Sequence, residues 1–380
     1  MPGSGLGCSP VLGAQSFWGA KEAVLKKERE KRLIYKLKDG EGRLQLQRTQ
    51  IKKIVEDFFG NLPKLWEKYE KALNEEVRMT EVTEAIKRQT NGNTPGLDGL
   101  PAEFYKTFEG ILSKPLKGIC NAALLDAKIP NPWTEANVTL IPKEDMDLTQ
   151  IQNYRPISLL NVDYKNFPSV MAERLKKYLT DFIHPDQNGF LPKRQMRNNM
   201  RIILDISEYY KARSEKSMAL LFMDAQKAFN NVNWQFMKQQ LVQMEFGEKI
   251  INAILSMYQK QSARIIINGE YTNTIDIQKG ARQGCPLSPL LFILSLEVLN
   301  RNIRDDTAIK GTRIRDESYK LQAFADDLVF IIEEPLVTMS KLLQRIEEYG
   351  DVTGMKINRE DEIVSEKSHI GAEKNSGGTS

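Results

Sequence analysis

A chain of 380 residues, 41% hydrophobic and 27% charged, can bury a sizeable core in two or three lobes, and its 54 Lys and Arg against 50 Asp and Glu leave a net charge of only +4, so any nucleic-acid binding must rest on local clusters. Three scattered cysteines (Cys8, Cys120, Cys285) exclude a disulfide scaffold or a sulfur-ligated zinc site and fit a reducing, intracellular compartment, while two histidines (His184, His369) leave little for histidine-based acid–base chemistry. No apolar run approaches membrane-spanning length, and residues 1–20 lack a basic leader, so neither a membrane span nor a signal peptide is expected, only a disordered start.

Lys21 to Lys38 interleaves Lys, Arg and Glu with Leu25, Leu33 and Leu37, as a charged surface helix does. With a second short helix over Ile51 to Phe59 it forms a helical amino-terminal extension over 21–75. A third helix is expected from Glu75 to Arg88. Pro95-Gly96-Leu97-Asp98-Gly99 is then a turn and not a phosphate loop, since it lacks the Lys-Ser/Thr pair. Helices over Ala102 to Phe108 and Leu112 to Ala127 follow. Val138 to Lys143 reads as a strand closed by Pro142, and Asn153 to Leu160 as its returning partner. Such a hairpin could present Lys143 and Arg155 to one anion, or each could be a solvated surface charge. Val170 to Ile183 places Met171, Leu175, Tyr178 and Phe182 at helical spacing, which makes that stripe core. Lys193, Arg194, Arg197 and Arg201 then cluster without an acid, with amides between them and Phe190 nearby. Two readings stand for that cluster, a contact for a phosphate backbone or a solvated helix start.

Met218 to Met223 is an apolar strand with Asp224 at its end. Ser262 to Ile277 carries Asn268-Gly269 between β-rich runs, a two-residue hairpin signal. Gly280 to Pro289 is a loop leading into an apolar helix, Leu290 to Ile303. Leu321 to Ile332 is a second hairpin whose tip holds Asp326-Asp327, whereas Asp305-Asp306 lies in polar, solvated sequence. Met339, Leu342, Leu343, Ile346 and Tyr349 mark one more amphipathic helix, and residues 359–380 turn polar, as a disordered tail would. Two strands that each end in Asp can meet in one antiparallel sheet, bringing Asp224 to Asp326 and Asp327. Adjacent carboxylates in an apolar setting call for a hard divalent cation, and three suit a two-metal site for phosphoryl or nucleotidyl transfer.

In this order the chain resembles the reverse-transcriptase region of LINE-type (non-LTR) retrotransposons. The matching stretches are Pro95 to Gly99 with Ala102 to Tyr105, Leu140 to Lys143, Tyr154 to Leu159, Asp186 to Phe190, Asp224 to Phe229, Arg282 to Pro289, Phe324 to Asp327, and Gly354 to Asn358. The resemblance implies an α+β right-hand polymerase, with fingers over 76–200 and an antiparallel β-sheet palm, packed with helices, over 201–358. It implies RNA-directed DNA synthesis from an RNA template, a DNA primer and deoxynucleoside triphosphates. Two Mg2+ (or Mn2+) ions would be held by Asp224 and Asp326 with the Ala225 carbonyl, Asp327 supporting. It further implies that Phe229 excludes a ribose 2′-hydroxyl, that Lys143 and Arg155 meet the triphosphate, and that Gln283 and Gly284 support the incoming nucleotide and template base.

The chain departs from the family at Asn230, where Asp is usual, and at Arg359-Glu360-Asp361-Glu362, where a Lys-Thr pair usually continues. No thumb or endonuclease sequence is recognisable, so a truncated copy is expected. The competing expectation is a nucleic-acid-binding remnant with weak or silent catalysis. An unrelated two-metal nuclease would leave Phe229 and the 282–289 loop unexplained.

Overall fold

The computed structural model describes residues 37–38, 43–45, 47, 49–50, 53, 67–213, 217–224, 232–314, 317–354 and 363–366. The chain separates into two units, Met1–Phe58 and Phe59–Ser380. In the first, strands β1 (Leu37–Lys38) and β2 (Leu44–Gln45) pair antiparallel. The helix expected to reach Lys38 therefore gives way at Leu37–Lys38 to a strand, whose backbone groups pair with those of Leu44–Gln45. The start over 1–20, the helix over 21–36 and the helix over 51–59, Lys53 apart, lie outside the described residues.

The second unit opens with α1 (Glu67–Asn74) and α2 (Met79–Arg88), and the helix expected from Glu75 begins only at Met79 because residues 75–78 turn the chain between them. Next come α3 (Ala102–Thr107), α4 (Glu109–Asp126), which Ala127 ends in a left-handed conformation, and the single turn α5 (Asn131–Thr134). Strands β3 (Glu135–Pro142) and β4 (Tyr154–Leu159) precede α6 (Val162–Phe182). Helix α6 starts eight residues before the expected Val170 despite Pro168, which removes only the bond to the Tyr164 carbonyl. Phe167, fully buried and stacked on Trp133 at 6.3 Å, holds these first turns, and Trp133 Nε1 donates to Asp163 at 2.9 Å.

After α7 (Met196–Lys211) come β5 (Met218–Asp224), α8 (Trp234–Gln243), α9 (Glu248–Tyr258), β6 (Ser262–Ile267), β7 (Glu270–Tyr271), β8 (Ile275–Asp276) and α10 (Ser288–Asp305). The chain continues through β9 (Thr312–Ile314), β10 (Glu317–Tyr319), β11 (Leu321–Phe324), β12 (Asp327–Glu333), α11 (Pro335–Thr353) and β13 (Ile363–Glu366). No helix among the described residues is long and apolar enough to cross a membrane.

Two larger sheets result, so the class is mixed α+β. One has the order β11-β12-β5-β13, antiparallel throughout. Helix α7 covers one face, where Ile203, Ile206 and Tyr210 pack with Met218, Leu220 and Ile331. On the opposite face Leu221, Leu328, Phe330 and Ile332 are buried, and α11 contacts β12. Each such side chain contributes about 1.5–3 kcal/mol. Within the tail expected to be disordered over 359–380, residues 363–366 form strand β13, and the rest lies outside the described residues. The β-branched pair Ile363-Val364 lies on the edge of β5 that β12 leaves open, opposite Leu221 and Leu220. The other sheet is mixed: β4-β3-β6-β7, with β3 and β6 parallel and β8 also on β6. Its β6–β7 hairpin turns at Asn268-Gly269, both with positive φ as a type I′ turn requires.

The buried Arg174 of α6 ties the first helices together with all five of its donors. It grips Glu81 of α2 through two bonds of 2.7 Å and donates to the carbonyls of Leu73, Glu75 and Glu76 at the end of α1. Burial pushes the Glu81 carboxyl up, but its bonds to Arg174 and Arg78 outweigh this and hold it below the usual range. A depressed carboxyl stabilises the fold above the ordinary carboxylate range and loses that contribution as pH falls through its folded value. Arg174→Met should therefore lower stability by about 3 kcal/mol in urea denaturation at neutral pH, with the deficit shrinking in acid.

Candidate active site

The register of β12 on β5 places Asp327 directly opposite Asp224. Directly paired residues on antiparallel strands point to the same face, with side chains close enough to interact. Phe324 pairs with Asp327, so β11 and β12 are joined by only Ala325 and Asp326. By backbone register Asp224, Asp326 and Asp327 thus lie at one end of the sheet. Asp326 is half-buried, and burial first, then the Asp327 charge, raise its carboxyl above the usual range. Like-charged oxygen donors in this arrangement suit a hard cation such as Mg2+ or Mn2+. Among the described residues no cluster of three or more His, Cys, Asp or Glu is placed to hold a metal. The Asp224 side chain, Ala225 and Phe229 lie outside the described residues.

The turn rests on residues 186–190. Asp186 O accepts from Ala323 N at 2.9 Å, and Asn188 N donates to Ala323 O at 2.9 Å, a short parallel bridge against β11. Asn199 of α7 reaches both carbonyls, at 3.1 and 2.9 Å. Behind them Arg304 of α10 holds Asp186 through two bonds of 3.0 and 2.8 Å and also grips the buried Glu297. Burial pushes the Glu297 carboxyl up to about 6 against the Arg304 charge. The sequence marks Asp186 to Phe190 only by its resemblance to the family, and residue pattern alone does not reveal that the Asp186, Gln187 and Asn188 side chains are buried.

The expected nucleotide-side residues gather on the other sheet. Ile141 pairs with Arg155, and Lys143, two residues on, donates its backbone N–H to Asn153 O at 2.8 Å, so both cations belong to one hairpin face. The 280–289 loop docks on β4: Ser158 N donates to Gln283 O at 3.0 Å. Gly284 has φ +109, and a Cβ there would lie 2.8 Å from Ser158 O, so only glycine fits so close to the strand. Gln283 and Gly284 therefore sit three strand positions, about 10 Å, from Arg155 along β4. Arg282 is buried and serves the fold, donating to Trp133 O at 2.8 Å and to Thr134 O.

The basic cluster does not form one surface. Arg194 turns inward and donates to the carbonyls of Thr180, Ile183, His184 and Gln187 at 2.7–3.1 Å, satisfying the end of α6. Those bonds engage its guanidinium within the fold, which sets it apart from the other three cations of the cluster. Arg201 is exposed and lies 3.6 Å from Asp205, and Lys193 and Arg197 are exposed. The comparison pair needs correction. Asp305 is exposed, but the Asp306 side chain is 8% exposed and pairs with Arg345 at 2.7 Å.

A family profile described as "Reverse transcriptase (RNA-dependent DNA polymerase)" matches residues 141–365. The chain is 30% identical over 303 residues to the "Transposon TX1 uncharacterized 149 kDa protein" of Xenopus laevis, covering 80% of this chain and 23% of that protein. It is 30% identical over 270 residues to the "Retrovirus-related Pol polyprotein from type-1 retrotransposable element R2" of Popillia japonica, covering 70% of this chain and 36% of that protein. Similarity to the "RNA-directed DNA polymerase from mobile element jockey" of Drosophila melanogaster is 22% over 292 residues, 75% of this chain and 31% of that protein. The chain thus spans between 23% and 36% of the length of these three curated relatives.

The two arginines of the basic cluster should separate in denaturation. Arg194→Ala, which removes four hydrogen bonds to carbonyls, should lower stability by about 2–3 kcal/mol. Arg197→Ala should stay within about 0.5 kcal/mol of the parent.

Proposed function

Because the chain belongs to the reverse transcriptase (RNA-dependent DNA polymerase) family, we propose that it carries out RNA-directed DNA synthesis as the polymerase domain of a non-LTR retrotransposon. The single observation that carries the reading is the register that sets Asp327 opposite Asp224 with Asp326 beside them. In this reading the palm, within 201–358, holds β5, β11 and β12 of the four-stranded sheet, and the fingers, within 76–200, hold α2 to α6 and the β3–β4 hairpin of the mixed sheet.

Asp224 and Asp326 would hold two Mg2+ (or Mn2+) ions, with the Ala225 carbonyl and Asp327 supporting. Bound there, the ions would lower the cost of deprotonating a primer 3′-hydroxyl and neutralise charge on the triphosphate. Lys143 and the fork-shaped guanidinium of Arg155 would orient the triphosphate of a deoxynucleotide. Gln283 and Gly284, docked on β4 near Arg155, would bear on the nucleotide and its template base. Phe229, five residues past Asp224, would exclude a 2′-hydroxyl by bulk. The exposed Lys193, Arg197 and Arg201 remain for the phosphate backbones of an RNA template and a DNA primer, and their binding should weaken steeply with salt.

Primer extension on an RNA template tests the reading. Asp224→Ala and Asp326→Ala should abolish extension, while Asp305→Ala, an exposed carboxylate away from this register, should leave it intact. Equal losses at Asp305 and Asp326 would refute the site, and an unaltered chain that binds primer–template without extending it would favour the binding-remnant reading. In a separate competition assay, Phe229→Ala should raise ribonucleotide over deoxyribonucleotide incorporation. Unchanged discrimination in a variant that still extends would leave Phe229 a packing residue.

A further inference from the structure

Ala325 is the first of two loop residues between β11 and β12, and its φ is +57, while Asp326 is not among the residues with positive φ. That combination is the pattern of a type II′ turn, which favours glycine at its first position. An alanine there is strained and persists only where the surroundings hold it. Because Phe324 and Asp327 close the ladder, the Ala325 peptide groups have no strand to pair with.

Gln187 takes the place of that strand. It is fully buried, and its carboxamide meets Ala325 on both sides: Oε1 accepts from Ala325 N at 2.9 Å, and Nε2 donates to Ala325 O at 3.3 Å. The same Oε1 accepts from Gly189 N at 2.8 Å. Gly189 lets the loop lie flat on the turn, since a Cβ there would stand 2.2 Å from Ala325 N. Gln187 is itself anchored, its carbonyl held by Arg194 at 2.7 Å and its neighbour Asp186 by Arg304.

We propose that Gln187 is a positioning residue: its carboxamide locks Ala325 in the left-handed conformation and so fixes where the Asp326 carboxylate is presented. The inference rests on the polymerase reading for its consequence in catalysis, but the Gln187–Ala325 lock stands on geometry alone. Gln187 touches no reacting atom. A displaced carboxylate lowers turnover without weakening nucleotide binding, and a misplacement of about 1 Å costs about 100-fold.

The test uses the full chain as wild type, Gln187→Met, Ala325→Gly and the double variant. Methionine keeps the length of the side chain and removes its three hydrogen bonds, and glycine accepts positive φ unaided. In amide hydrogen exchange without metal, Gln187→Met should speed exchange at Ala325 about 100-fold while Leu328 to Ile332 stay protected. Binding of Mn2+ alone, followed by water-proton relaxation, should weaken about tenfold. In extension assays kcat should fall about 10- to 100-fold with KM for deoxynucleotide changed less than about threefold. The loss caused by Gln187→Met should be several-fold smaller in the Ala325→Gly background, because glycine no longer needs the lock. Unchanged exchange at Ala325, equal losses in both backgrounds, or protection lost along all of β11 and β12 would overturn the proposal. If wild type shows no extension, the polymerase reading fails, while exchange and Mn2+ binding still decide the role of Gln187.

Discussion

The alignment of β12 on β5 is the constraint on which the rest of the second unit depends. Seven consecutive pairs, from Asp327 on Asp224 to Glu333 on Met218, fix it. A slip of one residue would turn Leu328, Phe330 and Ile332 to the other face and move the acids apart. Burial on both faces makes such a slip expensive. Hydrophobic packing therefore sets the position of the carboxylates, and the charges themselves oppose it. Glu333, at the far end of the same strand, shows the contrast: it accepts a hydrogen bond from Tyr210.

A second device recurs at the carboxyl ends of four helices. The carbonyls at the end of α1 meet Arg174, those of α5 meet Arg282, and those of α6 meet Arg194 and Arg301. Lys320 closes α10 through the carbonyls of Ile303, Arg304 and Asp306. A cation at a helix carboxyl end is favoured by the helix dipole and gives the last carbonyls a charged donor. Each of these side chains comes from an element distant in sequence or just beyond the helix end. They act as fasteners between layers as well as caps.

That device explains much of what residue pattern conveys and what it hides. The apolar strands, the Asn268-Gly269 hairpin and the Asp326-Asp327 tip are legible because period-two apolar runs and turn residues act locally. The direction of a long side chain is not local. Arg194 and Arg197 lie in one basic run, yet one seals α6 and the other faces water, and only the position of the α6 carbonyls decides between them. Asp306 is misread for the same reason, since its partner Arg345 lies 39 residues away. The early start of α6 is hidden by Pro168, and the edge strand β13 by a polar stretch that becomes a strand only because β5 offers an open edge. At the candidate site the acids are legible, whereas their support through Asp186, Gln187 and Arg304 lies in polar residues whose burial pattern alone does not reveal.

These two features together shape the electrostatics of the site. Arg304 lies behind the turn but is engaged by Asp186 and Glu297, and Arg194 is engaged by four carbonyls. The influences that act on Asp326 run the other way: burial and Asp327 both disfavour its ionised form. A fold that needed only stability would gain by turning one of these cations toward the acids or by replacing the acids with apolar residues. Instead these cations fix the backbone beneath Asp326. Ala325 fits the same logic, since strain held in place by a neighbouring loop is tolerated where the direction of a side chain matters more than the energy it costs.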